Sequence, residues 1–212
     1  LWLFFIFIVV TLLVAKWKGL SSLLAMGFSF LVIFKFILPR ILAGDNPAST
    51  VIFGSLFIIP ITFYFSHGLN KKTTIAIIGT LVALAITIIL AHLFVNAAKL
   101  TGFVSEEASF LQTIKKGSIN IKGLLLAGII IGSLGVLDDI TIAQSAIVFQ
   151  LKQTNKKISS AELYKRAMEV GKDHIASMIN TLILVYTGVA LPLLLLFIDN
   201  PHPFSEVINY EI

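Results

Sequence analysis

The sequence has no cysteine among its 212 residues. Disulfides, thiolate metal sites and a cysteine nucleophile are therefore excluded, and nothing about the compartment follows. Charge is scarce too: 13% of residues are Asp, Glu, Lys or Arg, against 57% hydrophobic, and the mean hydropathy is +0.97. A soluble domain of this size needs more polar surface to cover its core. Catalytic signatures are also missing. The chain contains no HExxH, no GxSxG, no phosphate-binding P-loop and no dinucleotide fingerprint, so neither an enzyme nor a cofactor is expected. An intramembrane aspartyl protease needs two Asp on separate helices around one water. The clear acids here, Asp138 and Asp139, are adjacent, and Asp138 with Asp173 is only a remote substitute.

What the chain has instead is long apolar runs. A membrane-spanning helix takes roughly 17–25 predominantly apolar residues. Six runs come close, at approximately 1–15, 20–39, 50–66, 74–97, 123–151 and 174–198. The expectation is an all-α polytopic transmembrane helix bundle of about six spans, forming a single domain over 1–212. The net charge of +5 lies in short loops between the runs. A bilayer explains that placement better than nucleic acid does, so the expected partner is lipid. The GxxxG pattern described below leaves a homo-oligomer open.

Lys and Arg positions set the expected orientation. Loops 16–19, 67–73 and 152–173 hold ten basic residues on one side, and the opposite side holds six. The richer side is expected to be cytoplasmic, with the C-terminal tail outside. The opening LWLFFIFIVV has no basic stretch before it, and Lys16 and Lys18 follow it as they follow a stop-transfer segment. A first helix that starts outside suggests an exported region ahead of the chain.

Two loops are long enough to fold. Ser105 can cap a short extracytoplasmic helix over 106–116, with Glu106 and Glu107 in its first turn, Lys115 and Lys116 in its last, and Gly117 after it. Ser159-x-x-Glu162 resembles a capping box for a cytoplasmic amphipathic helix over 160–170. Gly171 would end that helix, and Asp173 would cap the next.

The fifth run carries the most chemistry. Gly128, Gly132 and Gly135 have the small-residue spacing that permits close helix approach in lipid. Asp138 lies ~20 Å along the helix from the start of the run. A carboxylate at that depth costs at least ~2.5–3.5 kcal/mol. Neighbours on a helix point about 100° apart, so two adjacent acids do not face one pore squarely. The run is also too long for a simple span. Both facts lead to the expectation of a break near Asp138–Asp139, with Asp139 capping the second piece or pairing with Lys71, Lys72 or Lys172. In the sixth run, Asp173 and His174 precede Ser177, Asn180 and Thr181. His174, Ser177 and Thr181 share a helix face, and Pro192 is expected to kink that helix. The candidate binding residues are therefore Asp138, Asp139, Asp173, His174, Ser177, Asn180 and Thr181, with no metal specified. His92 and Asn96 share a face near the end of the fourth run.

The stretches Gly132-Ser-Leu-Gly-Val-Leu-Asp-Asp-Ile-Thr141, Gly171-Lys-Asp-His-Ile175 and Asn180-Thr181-Leu182 resemble the YibE/F family of bacterial membrane proteins. Lys16-Trp-Lys-Gly19, His67-Gly-Leu-Asn70 and Ser105-Glu-Glu107 fit the same pattern. The resemblance implies a multi-pass protein of the bacterial cytoplasmic membrane, commonly with an exported region ahead of this part, and it implies no specific biochemical role. Two functions follow as expectations. One is a transporter or channel subunit passing a small cation, or a cationic or proton-coupled solute, through an acidic site. The other is a membrane scaffold or sensor whose exported region binds a ligand or envelope component.

Overall fold

The computed structural model describes residues 2–103, 110–113 and 119–199. The described residues are helical, with short connections and no strand. In chain order the helices are α1 (Trp2–Val32), a π-helical turn (Ile33–Ile37), α2 (Leu38–Leu42), α3 (Pro47–His67), α4 (Lys71–Ala97), α5 (Ile121–Thr154), α6 (Ser160–Val189) and α7 (Leu191–Asp199). Trp2–Leu42, α3, α4 and α5 are long and apolar enough to cross a membrane. Most of the helix expected over 106–116 lies outside the described residues, and its described part, 110–113, is helical.

Helix starts are closed by short polar side chains, which take up N–H groups that lipid cannot satisfy. Asn46 accepts from the Ser49 N–H, Asn70 from Thr73, Asn120 from Gly123 and Ser159 from Glu162, at 2.9–3.2 Å. Pro47 occupies the first position of α3, where its missing donor costs nothing.

The first two apolar runs meet inside α1. Lys16, at φ 50° and ψ −128°, interrupts the helix. Gly19 is buried, and a Cβ added there would lie 2.6 Å from the Thr11 carbonyl oxygen. Residues eight apart on a straight helix are about 12 Å apart along the axis. The two arms therefore bend sharply toward each other at Lys16-Trp17-Lys18, and a glycine permits the contact. The expected boundary at 16–19 is present as a kink rather than a loop.

Further on, the Leu38 N–H donates to Ile33, five residues back, which is the π pattern. Pro39 explains it: proline has no N–H, and its ring crowds the carbonyl one turn earlier, so the helix widens ahead of it. The extra residue turns Ile37, 1% exposed, onto α3, where a Cβ on Gly54 would meet its Cδ1 at 2.6 Å.

α3 lies between α1 and α5, and α5 also packs along α4. Val51, Ile59 and Phe63 from α3, Ile77 and Leu84 from α4, and Ile130 and Leu134 from α5 form the centre of the core. Hydrogen bonds between helices add to the packing, as they do in lipid. The Thr80 and Thr141 hydroxyls lie 2.6 Å apart across α4 and α5. Ser145 donates to the Lys72 carbonyl at 2.8 Å, and Gln144 Nε2 donates to the Ala167 carbonyl at 2.9 Å, joining α5 to α6.

Three expectations need correction. α5 is one helix of 34 residues, unbroken at Asp138–Asp139. At ~1.5 Å per residue it is longer than the hydrocarbon layer is thick. Its C-terminal end is polar, with Gln150 and Lys152 to Thr154 exposed. No proline interrupts it, and Thr141 keeps its hydroxyl satisfied by donating to Leu137. Neither Asp138 nor Asp139 is a cap, and among the described residues neither pairs with a lysine or arginine.

Second, no helix ends at Gly171. The segment 160–170 and the sixth run form the single helix α6, so Asp173 is not a cap. Gly171 is instead the seat of Gln144, whose Oε1 would lie 2.9 Å from an added Cβ. The exposed first turns of α6 carry an i,i+4 pair, Arg166 Nε to Glu162 Oε1 at 2.6 Å. That hydrogen bond holds the Glu162 carboxyl below its ordinary range. The helix is interrupted at Ala190, two residues ahead of Pro192, as proline is expected to do.

Third, within the chain no described helix stands close to Gly128, Gly132 or Gly135: among the described residues nothing lies within 4 Å of an added Cβ at any of them. Leu182 and Tyr186 of α6 line the space beside Gly128 and Gly132 without closing it. The close approaches at glycine fall at Gly19, Gly54, Gly102, Gly123 and Gly171 instead.

Candidate functional site

Asp138 is half-buried on the flank of α5 that faces α1 and α3. It lines a cavity of about 180 Å³. The walls are Ile131, Leu134 and Gly135 from α5, Ile58, Ile59, Thr62 and Phe63 from α3, and Ser29 with Ile33 from the α1 side. Ile33 begins the π turn, so the widened backbone forms part of the wall. Apart from the carboxylate, the polar side chains on this wall are two hydroxyls. Ser29 donates to the Ala25 carbonyl at 3.2 Å and Thr62 to the Ile58 carbonyl at 2.8 Å, each along its own helix. With its proton so used, each hydroxyl oxygen keeps lone pairs for an incoming donor or cation. Among the described residues no basic group neutralises Asp138.

The cavity lies toward one end of the bundle. Ser145, seven residues beyond Asp138 or about 10 Å along α5, reaches the start of α4 at Lys72. His67 at the end of α3 is within electrostatic reach of Lys72, Lys18 and Asp139. The Lys16–Lys18 turn, the α3–α4 connection and the C-terminal part of α5 thus share one end. Asp139 points away from the cavity and is exposed.

The structure does not bring the α6 residues to Asp138. None of Asp173, His174, Ser177, Asn180 or Thr181 lines its cavity. His174, Met178 and Leu182 are the half-buried positions of that part of α6, while Asp173, Ser177, Asn180 and Thr181 are exposed. The inward edge therefore runs at i, i+4, i+8 rather than through Ser177 and Thr181. Thr181 donates back to the Ser177 carbonyl at 3.0 Å. The Nε2 of His174 is buried and meets no hydrogen-bond partner among the described residues. Among the described residues, no three His, Asp or Glu side chains cluster as a metal ion requires.

Sequence reasoning missed Ser29 and Thr62. Both are hydroxyls inside apolar runs, and such residues most often bond back to their own helix, as these do. A signal was present in Pro39: a proline in a helical run foretells a local irregularity, and the π turn it causes adjoins Asp138.

A comparison with protein families matches residues 3–212 to the family described as YibE/F-like protein. No curated protein matches the chain. No solved structure matches it either.

Proposed function

The chain belongs to the YibE/F-like family, and on that premise we propose that it passes a small monovalent cation or a proton across the bacterial cytoplasmic membrane, with Asp138 as the binding group. The supporting observation is the unpaired Asp138 carboxylate, half-buried in a three-helix cavity that two hydroxyls share. An intramembrane carboxylate without a basic partner is costly, and a proton or cation in transit relieves that cost. Oxygen donors from Asp138, Ser29 and Thr62 suit a hard cation, and 180 Å³ leaves room for it with several waters. A large solute does not fit.

The end nearest the cavity carries Lys16, Lys18, Lys71 and Lys72, and the excess of positive charge assigns it to the cytoplasm. Asp138 then exchanges ions with that side first. Asp139, exposed and on another flank, contributes charge near the entrance rather than a ligand. The α6 residues fall outside the binding set, which passes to α1, α3 and α5.

The test is ion flux in proteoliposomes carrying a pH-sensitive dye, driven by a sodium or a proton gradient. Wild type should dissipate a gradient, Asp138→Asn should not, and Asp139→Asn should keep most of the flux. Flux retained by Asp138→Asn in correctly folded protein ends the reading.

A further inference from the structure

The opposite end of the bundle holds a second and larger cavity, about 640 Å³, between α3, α4 and α5. It shares no residue with the Asp138 cavity, so the inference drawn from it stands apart from the ion pathway. We infer that this cavity binds the phosphate head and part of one acyl chain of an anionic phospholipid.

Among the described residues, charge at its polar mouth has one sign. Lys122 and His92 are the described titratable side chains on the wall, and no described carboxylate lines it. Lys122 Nζ donates to Asn96 Oδ1 at 2.6 Å. An ammonium has three donors, so two remain for phosphate oxygens while Asn96 holds the amine in place. Two helices also begin here. Asn46 with Ser49, and Asn120 with Gly123, are the caps and first-turn residues of α3 and α5, and all four line the cavity. Both positive dipole ends therefore face the same space. The negative end of α4 is quenched locally: the N–H groups of Ala98, Lys99 and Leu100 donate to Phe94, Asn96 and Val95. His92, one turn before Asn96, extends the donor row inward.

The rest of the wall is apolar, with Ile52, Leu126 and Ile130 on the inner side. Ile89 and Leu93 line it from α4 yet are 61% and 58% exposed, so the cavity continues onto the outer, lipid-facing surface of the bundle. A free anion would leave this apolar extension unfilled, and a zwitterionic lipid, though it offers a phosphate, would bring a fixed cation into a mouth that already holds Lys122 and two positive helix ends. An anionic phospholipid meets both requirements.

The test is native mass spectrometry of the full chain in detergent, titrated with phosphatidylglycerol or phosphatidylcholine. Wild type should retain phosphatidylglycerol preferentially. Lys122→Gln keeps a donor for Asn96 but removes the charge, and should weaken phosphatidylglycerol about fivefold and phosphatidylcholine by less, so that the preference between them narrows. Leu93→Trp, which fills the apolar part, should weaken both lipids. Excess inorganic phosphate should not displace the bound lipid. Equal retention of the two lipids by wild type, unchanged phosphatidylglycerol binding in Lys122→Gln with a wild-type elution profile, or displacement by phosphate alone overturns the inference.

Discussion

The contact between Gly171 and Gln144 offers a test in which two opposing effects nearly cancel and a third measurement separates them. Replacing Gly171 with alanine removes a mid-helix glycine from α6, which favours the helix by about 0.8–1.0 kcal/mol. The new Cβ would also stand 2.9 Å from Gln144 Oε1 and 3.2 Å from its Nε2. The amide has to swing away, which breaks its 2.9 Å bond to the Ala167 carbonyl. Interhelical hydrogen bonds in membrane proteins average about 0.6 kcal/mol and reach about 1.7. Gly171→Ala alone should therefore change stability little, between a gain of ~0.4 and a loss of ~0.9 kcal/mol. In a Gln144→Ala background the clash and the bond are both gone, and the same substitution should stabilise by close to ~1 kcal/mol. The cycle should thus show a coupling of about 0.6–1.7 kcal/mol. Unfolding from mixed micelles with SDS, followed by circular dichroism, provides the four free energies. Additivity within ~0.3–0.5 kcal/mol would mean that Gln144 does not hold α6 through this contact.

Two further outcomes follow from the packing. Gly128→Ala meets open space, so it should be neutral or stabilise by up to about 1 kcal/mol in the same unfolding titration; a loss of stability would mean that another helix sits on that face. Thr80→Val breaks the 2.6 Å contact with Thr141 and should cost ~0.6–1.7 kcal/mol, and adding Thr141→Val should cost little more, because the interhelical contact is already gone and the Thr141 hydroxyl otherwise bonds back to Leu137 of its own helix.

The membrane class, the apolar runs and the family were legible in the sequence, because composition and run length report directly on the solvent a helix faces. So were the starts of α3, α4 and α6: the apolar periodicity begins close to Asn46, Asn70 and Ser159. The site was legible only in part. Asp138 stands out by cost alone, since an acid among Leu, Val and Ile is conspicuous wherever the helix points. Its partners do not, because which flank of α5 meets α3 depends on side-chain packing several residues away, including the π turn that Pro39 forces. Two errors came from treating local signals as decisive. Gly171 and the Asp pair read as helix boundaries, yet Gly171 is a landing place for Gln144 and α5 is one continuous helix of 34 residues. The glycines of α5 match a packing motif, but Leu182 and Tyr186 leave a gap beside them.

The claim on which the account rests is that water and ions reach Asp138 through the cavity shared by α1, α3 and α5. The natural chain has no cysteine, so a single Thr62→Cys substitution places one thiol on that wall. A water-soluble methanethiosulfonate reagent reacts with thiolates, which form only where water reaches. Thr62→Cys should be labelled, and excess of the transported cation should slow the labelling. Ile78→Cys, on the outer side of α4 where the native side chain is 58% exposed and is expected to meet lipid, should stay unreacted. A Thr62→Cys as inert as Ile78→Cys would mean that the cavity is sealed and dry, and that Asp138 does not exchange ions.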